Sequence, residues 1–139
     1  MTQINAYLFF NGNCREAMTF YKECLGGELT MQTVEGSPAE NQMPAEAKQH
    51  IMHASLIKDG LVLMGSDMVG PDGVVKGNII SLLLNCSSEE EIKSFFSKLS
   101  LGGQIIGPLK EEFWGATFGQ LTDKFGMSWM LNYAKTPQA

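Results

Sequence analysis

The sequence predicts an α+β fold of two tandem βαβββ modules, whose eight strands form a half-open cup with the helices on its outer face. One observation is a helix-ending phrase that occurs twice, as FYKECLGG at 20–27 and FFSKLSLGG at 95–103. The other is the shared context, since an apolar run ending in Asn precedes each copy and a strand–glycine turn–strand pattern follows it. Several matching elements in one order indicate an internal duplication. Neither half has enough strands to close a core alone, so the two sheets are expected to meet.

The first half reads as strand, helix and three strands. Residues 4–10 are β-branched and aromatic, which predicts a strand. A helix is predicted from Cys14 to Leu25 because its apolar residues recur on one face and Gly26 follows in the C′ position. The later segments are a strand at 28–35, a long polar loop at 36–49, and a hairpin of 51–57 and 61–66 around Asp59-Gly60.

The second half repeats this order. A strand is predicted at 78–86 and a helix at about 88–101, opened by Ser87-Ser88 and three glutamates. A short strand at 104–107, a loop at 107–115 and a hairpin of 116–122 and 127–133 complete it. The predicted organisation is a single domain over 1–139, with module one at about 1–66, a linker at about 67–77 and module two at about 78–139.

Composition excludes several classes of protein. The chain of 139 residues is 44% hydrophobic and 18% charged, which is typical of a globular domain. Its net charge is −5 and its ten basic residues are scattered, so no nucleic-acid partner is expected. No apolar run approaches the roughly 20 residues of a membrane span, so no membrane partner is expected either and a cytoplasmic location is predicted. Three cysteines without metal-binding spacing indicate reduced thiols.

Five segments carry a resemblance to a known superfamily. They are AYLFFNGNCREAMTFYKECLGGE, IMHASL, LMGSD, FWGATFG and TDKFGMSWMLN. In this order the chain resembles the vicinal oxygen chelate superfamily of glyoxalases, bleomycin-resistance proteins and extradiol dioxygenases. Within it, the chain is most similar to the PhnB-like branch, related to 3-demethylubiquinone-9 3-methyltransferase-like domains. The resemblance implies the glyoxalase/bleomycin resistance fold and a homodimer. No segment of the chain looks like a site for S-adenosylmethionine or another nucleotide.

The resemblance also implies where a metal would be held. The superfamily's metal enzymes place one His, Gln or Glu on each of four strands, and the corresponding positions here are about Ala6, Met64, Ser81 and Met130. None of these side chains is an imidazole or a carboxylate, which divalent cations prefer. A shift of one residue, for example from Ala6 to Tyr7, improves none of them. We therefore expect no metal and no other cofactor.

The predicted lining of the cup is apolar or weakly polar. Alternation on the last strand places Trp129 and Leu131 under a helix and Ser128 and Met130 on the cup side. The predicted ligand-binding residues are Phe10, His53, Met64, Ser81, Leu83, Trp114, Ser128 and Met130. Such a lining suits a small, largely uncharged organic molecule. The alternative is that these side chains fill a closed core.

Three residues have both a functional and a structural interpretation. His53 is a candidate general base because imidazole groups commonly transfer protons at neutral pH, or a structural histidine bonded to the backbone. Glu111 is a candidate catalytic carboxylate or a solvated one. Trp114, in the loop GPLKEEFWG, would either stack on a ligand or lie in a subunit interface.

The sequence leaves three functions open. The first is a binding protein for a small organic molecule that uses no metal. The second is a metal-dependent lyase, isomerase or dioxygenase with unusual ligands such as His53 and Glu111. The third is a structural or interaction dimer with a filled cup. Whether the chain catalyses a reaction is not decided by the residues.

Overall fold

Ten helices and strands make up the part of the chain that the computed structural model describes, which is residues 2–36, 41, 48–67, 73–113 and 115–134. The first five are β1 (Ala6–Phe10), α1 (Cys14–Leu25), β2 (Glu28–Thr33), β3 (Ile51–Lys58) and β4 (Leu61–Asp67). The second five are β5 (Leu82–Asn85), α2 (Glu89–Leu99), β6 (Gln104–Glu111), β7 (Ala116–Thr122) and β8 (Ser128–Ala134). The chain divides between Val75 and Lys76, inside the predicted linker, into two units.

Both units contain a four-stranded mixed sheet with the same strand order. The first sheet runs β1-β4-β3-β2 and the second runs β5-β8-β7-β6. In each, the first strand pairs in parallel with the last strand, and the other pairs are antiparallel. The predicted βαβββ duplication is confirmed, and both helices lie where the sequence places them.

Helix α1 covers one face of the first sheet. Its buried side includes Ala17, Met18 and Tyr21, none of which is exposed to solvent. Gly65, on β4, lies directly beneath the helix, because a Cβ atom there would be 3.4 Å from the Met18 sulfur and 3.2 Å from the Phe10 ring. The sheet residues on this face are Phe10, Ala54, Leu56 and Leu63, all buried. This is the core of module one.

Helix α2 covers the second sheet in the same way. It buries Ile92, Phe96 and Leu99. The Phe96 ring comes within 2.7 Å of where a Cβ atom of Gly119 would lie, so β7 also needs a glycine under its helix. Trp129 and Leu131 are 2% and 0% exposed, which confirms the predicted alternation of β8.

The repeated Leu-Gly-Gly phrase performs the same two tasks in both modules. The first glycine has a left-handed backbone, with φ of 81° at Gly26 and 75° at Gly102, and it turns the chain out of the helix. The second lies against a neighbouring strand. A Cβ atom would be 2.7 Å from the Ile57 carbonyl oxygen at Gly27, and would overlap the Thr122 carbonyl oxygen at Gly103. The left-handed conformation of the first glycine and the close approach of the second to a strand therefore explain why Leu-Gly-Gly occurs in both modules.

The two helices begin differently. At α2, the Ser88 hydroxyl accepts from the Glu91 N–H at 3.0 Å, and the Glu91 carboxylate accepts from the Ser87 N–H at 3.0 Å. At α1 no side chain of the N-cap residue does this. Instead the Asp67 carboxylate, at the end of β4, accepts from the Cys14 N–H at 2.9 Å and from the Ile51 N–H at 2.8 Å. Asp67 thus joins the start of α1 to the start of β3.

A second aspartate organises the β7–β8 turn. Asp123 is 3% exposed. Its carboxylate accepts from the N–H groups of Phe125 and Met127, at 2.8 and 3.1 Å, and from the Trp129 indole N–H at 2.8 Å. These bonds satisfy the buried charge and orient the Trp129 ring beneath α2.

Two predicted boundaries in module two are wrong. The first strand was predicted from residue 78, but β5 begins at Leu82. The strand predicted to end at 107 continues to Glu111, through Pro108. Pro108 is tolerated because β6 is an edge strand, and the register of β6 on β7 shifts on both sides of Gly107. Neither described helix has the length and apolar character needed to cross a bilayer.

All three cysteines are free thiols. Cys14 and Cys24 are buried, and Cys86 is partly exposed. Burial, reinforced by the Asp67 carboxylate, raises the pKa of the Cys14 thiol to about 12. Burial raises the pKa of Cys86 to about 12 as well, with Glu91 adding to the effect. Ionisation of Cys14 therefore opposes folding.

Replacing Gly103 with alanine should destabilise the protein strongly. The new methyl group would overlap the Thr122 carbonyl, so we expect Gly103→Ala to lower the free energy of unfolding by about 2 kcal/mol or more. The matched control is Gly107→Ala, where no atom lies within 4 Å of the added Cβ. Urea unfolding of both variants is the measurement, and equal losses would contradict the close approach.

Asp67→Asn should destabilise the protein because the Asn amide has a single, uncharged acceptor oxygen, so one of the two N–H groups loses its acceptor. We expect a loss of about 1–3 kcal/mol in the free energy of unfolding. The control is Asp59→Asn, in the exposed β3–β4 turn, where Asn also tolerates the φ of 51°. A change below about 0.5 kcal/mol is expected at that position. Thermal or urea unfolding tests this, and an Asp67→Asn variant as stable as the control would refute the bridge.

The contribution of Cys14 to stability should fall at alkaline pH. The unfolded thiol ionises above its ordinary pKa of 9.0, whereas the folded thiol stays neutral until about 12. The stability difference between wild type and Cys14→Ala should therefore shrink by roughly 1 kcal/mol between pH 7.5 and pH 10. Urea unfolding at the two pH values measures this, and a difference independent of pH would contradict the raised pKa.

Candidate functional site

The candidate site of module one is the sheet face that α1 leaves uncovered, here called the first open face. Side chains alternate along a strand, so Tyr7 and Phe9 point away from the helix when Phe10 points towards it. Register extends this face across the sheet, because Tyr7 pairs with Met64 and Met64 with Ser55. The remaining residues of this face on β1, β3 and β4 are Phe9, His53, Ile57, Val62 and Ser66. None of them is Asp, Glu, Lys or Arg.

Three rings form a row on the first open face, here called the aromatic platform: Phe9, Tyr7 and His53. The Tyr7 and Phe9 ring centres are 5.3 Å apart with planes tilted by 44°, and the Tyr7 and His53 centres are 5.8 Å apart with a tilt of 36°. Tyr7 and Phe9 are 40% and 47% exposed, and His53 is also exposed. The Tyr7 hydroxyl oxygen lies 3.3 Å from His53 Nδ1. The platform therefore offers apolar ring surface with a polar group at one end.

The second open face is the side of the module-two sheet that α2 leaves uncovered. Leu83 pairs with Met130, and Asn85 with Asn132. Leu83 is 53% exposed and Met130 is partly exposed. The other residues of this face on β7 and β8 are Ala116, Phe118, Gln120, Thr122, Ser128 and Ala134. This face also carries no charged side chain on β5, β7 or β8.

Two polar pairs cross the second open face. The hydroxyl oxygens of Ser81, just before β5, and Ser128 lie 2.6 Å apart. The Asn132 amide donates to the Asn85 carbonyl oxygen at 3.3 Å. Ser128 and Met130 therefore share one face, as predicted, and the two pairs supply both donors and acceptors beside Leu83 and Met130.

Phe10 was predicted to face the ligand, and this orientation is wrong. Its ring is 3% exposed and packs on the α1 side, near Met18 and above Gly65. The reason is that every residue from Ala6 to Phe10 is apolar or aromatic, so the sequence does not show which side chains of β1 face the helix. Tyr7 and Phe9, which the sequence analysis missed as site residues, occupy the open face instead.

The first implied metal position needs the same one-residue correction. Ala6 pairs with Leu63 on the α1 side, whereas Tyr7 pairs with Met64. In module two the equivalent pair is Leu83 and Met130, so the third implied position moves from Ser81 to Leu83. The corrected positions are Tyr7, Met64, Leu83 and Met130, with Ser81 just outside its strand.

These residues do not fit a divalent metal. A phenol, two thioethers and an isobutyl group supply no imidazole or carboxylate, which are the donors that Zn²⁺, Ni²⁺, Fe²⁺ and Mn²⁺ take from proteins. Among the described residues, no group of three or more His, Cys, Asp and Glu side chains is arranged to hold a metal ion. The four corrected positions therefore provide no donor set for a divalent cation.

The remaining predicted residues lie in separate places. His53 is on β3 of the first unit, and Glu111 is an exposed residue at the end of β6 in the second unit. Glu111 lies opposite Thr117 in the β6–β7 ladder and not in the loop predicted for it. Trp114 lies outside the described residues.

Comparisons with known proteins agree with this fold. The model of the family described as 3-demethylubiquinone-9 3-methyltransferase matches residues 2–132. The chain is 34% identical to Protein YjdN of Escherichia coli (strain K12), over 95% of both chains. It is 42% identical to the crystal structure of protein PA1353 from Pseudomonas aeruginosa, with a TM-score of 0.83 over 96% of this chain and 98% of that one.

Two further structures extend the likeness. A putative 3-demethylubiquinone-9 3-methyltransferase, PhnB protein, from Bacillus cereus is 29% identical, with a TM-score of 0.73 over 96% of this chain and 100% of that one. A glyoxylase/bleomycin resistance protein/dioxygenase domain from Frankia sp. EAN1pec is 11% identical, with a TM-score of 0.67 over 99% and 96% of the two chains, and shows the fold alone. The chain therefore belongs to the PhnB-like 3-demethylubiquinone-9 3-methyltransferase family, and its fold is that of the glyoxalase/bleomycin resistance/dioxygenase superfamily.

Proposed function

We propose that this protein binds a small, largely uncharged organic molecule on the open faces of its modules, without the metal used by the superfamily's enzymes. The observation that carries the proposal is the absence of charged side chains from the open faces of β1, β3, β4, β5, β7 and β8, combined with solvent-exposed apolar side chains there. The charged residues of the two faces, Glu28 and Lys110, lie on the edge strands β2 and β6. Tyr7, Phe9 and Leu83 are each between 40% and 53% exposed. Apolar and aromatic surface with a few polar groups is the usual composition of a small-molecule site.

The polar groups on the open faces are suited to neutral partners. Hydroxyl, amide and imidazole groups donate and accept hydrogen bonds without requiring a counter-charge on the ligand. A charged ligand would need a compensating charge when it is desolvated. The Ser81–Ser128 and Asn85–Asn132 hydrogen bonds are exposed, so a ligand could replace either of them with a bond to itself.

We also propose that the protein acts as a cytoplasmic homodimer. Exposed apolar side chains in the segment that joins β4 to β5 support a partner surface, since Val75, Ile79 and Ile80 are 89%, 92% and 74% exposed. Large apolar patches on soluble proteins commonly mark interaction sites. Light scattering of the purified protein distinguishes a dimer from a monomer.

A thermal-shift screen of neutral aromatic fragments should identify stabilising compounds, because a ligand of the folded state stabilises it by mass action. The same shifts are expected with and without EDTA, and metal analysis should find far less than one transition-metal ion per chain. Phe9→Ser and Leu83→Ser should each weaken binding of a compound that contacts their module by about fivefold or more. Isothermal titration measures the affinity.

The matched control is Leu101→Ser, which removes an apolar side chain that is 64% exposed and lies in the turn between α2 and β6. It should leave the affinity unchanged. A stoichiometric Ni, Zn, Fe or Mn ion, or binding that EDTA abolishes, would contradict the proposal. So would a screen in which no neutral fragment stabilises the protein.

A further inference from the structure

The aromatic platform carries a polar group whose chemistry narrows the class of ligand. His53 is exposed, and among the described residues its one hydrogen-bond contact is the Tyr7 hydroxyl, 3.3 Å from Nδ1. A phenol is a better donor than a neutral imidazole N–H, and an imidazole nitrogen is a better acceptor than a phenol oxygen. The favoured arrangement is therefore Tyr7 O–H donating to Nδ1. The proton of the neutral His53 ring then resides on Nε2.

The rings beside His53 select a flat, apolar partner. The Phe9 and Tyr7 rings expose about two-fifths to one-half of their surface, and Met64 lies next to Tyr7 in the register. Aromatic rings and thioethers both make favourable contacts with an aromatic ring. Because no cationic side chain lies on this face of β1, β3 or β4, the platform lacks the positive groove that accompanies base stacking in nucleic-acid-binding proteins.

We propose that the aromatic platform binds an aromatic carbonyl compound, stacking its ring on Phe9 and Tyr7 while His53 Nε2–H donates a hydrogen bond to the carbonyl oxygen. This deepens the proposed function by naming a ligand class and a specificity-determining residue, and it rests on that function. Tyr7 has two roles. Its ring contacts the ligand, and its hydroxyl fixes the tautomer and the orientation of the His53 ring. The donor distinguishes a carbonyl compound from a hydrocarbon of the same shape.

Two probes that differ at one group test the proposal: 4-hydroxyacetophenone, which has a carbonyl, and 4-ethylphenol, which has a methylene in its place. NMR titration of the full chain should show about fivefold tighter binding of the ketone, which is the usual net value of one hydrogen bond. The methyl signal of Met64 should shift with both probes. Long-range ¹H–¹⁵N spectra should show Nδ1 of His53 unprotonated in the neutral ring.

The decisive variant is His53→Phe, which keeps a ring on the platform and removes the donor. It should bind both probes equally, with the affinity for 4-ethylphenol unchanged. Tyr7→Phe should reduce the preference for the ketone and add the second neutral tautomer to the His53 spectrum. The matched control Tyr133→Phe, in module two, should leave both properties as in wild type. Because His53 and the Tyr7 hydroxyl are exposed, the melting temperatures should stay close to wild type.

The outcomes separate this inference from the proposed function. Equal affinity of wild type for the two probes, or an unchanged preference in His53→Phe, would overturn the inference while leaving a neutral-ligand site on the platform. A protonated Nδ1 in the neutral ring would overturn the assigned donor. Failure of both probes to bind would overturn the aromatic carbonyl class, whereas the proposed function is decided by the broader fragment screen.

Discussion

A helix on one face of each sheet is the constraint from which the rest of the structure follows. Once α1 lies over Gly65 and α2 over Gly119, every strand in contact with them must place its large apolar residues at fixed alternate positions. The other positions are then committed to the uncovered face. The side chains there, including Tyr7, Met64, Leu83 and Met130, owe their placement to this packing.

The two modules meet that constraint with partly different chemistry. Both use the Leu-Gly-Gly exit, in which the second glycine allows the chain to pass against a strand carbonyl. Their helix starts have diverged, since α2 uses the local pair of Ser88 and Glu91, and α1 uses Asp67. An acceptor supplied from a strand makes the start of α1 depend on the sheet being formed, whereas the capping of α2 is local. The two modules therefore share the glycines that their backbone geometry requires and differ in the polar groups that begin their helices.

Much of the fold could be predicted because the duplication repeats the order of elements. Strand orientation could be predicted only where polar and apolar residues alternate. The segment SWMLNY in β8 alternates, and its parity was right. The segment AYLFF in β1 does not, and Phe10 was placed on the wrong face while Tyr7 and Phe9 were missed. Pairing with β4 resolves this ambiguity, and pairing is a long-range property.

Polar contacts show the same limit. The bond from Cys14 to Asp67 spans 53 residues, and the contact between Tyr7 and His53 spans 46. Neither leaves a local signature. Asp123 is different, because its acceptance of the Phe125 and Met127 N–H groups is a local turn pattern that the string TDKFG could have indicated. A local turn such as that of Asp123 could therefore be predicted from the sequence, whereas the residues that form the aromatic platform could not.

The central claim is that the open faces hold neutral organic molecules and not cations. Methyl NMR of protein labelled at its nine methionines tests it most directly, because Met64 lies on one open face and Met130 on the other. A neutral aromatic ligand should shift at least one of these two signals, and added Mn²⁺ should broaden neither selectively. Selective broadening of Met64 and Met130 by stoichiometric Mn²⁺ would show a metal bound beside them and would contradict the account.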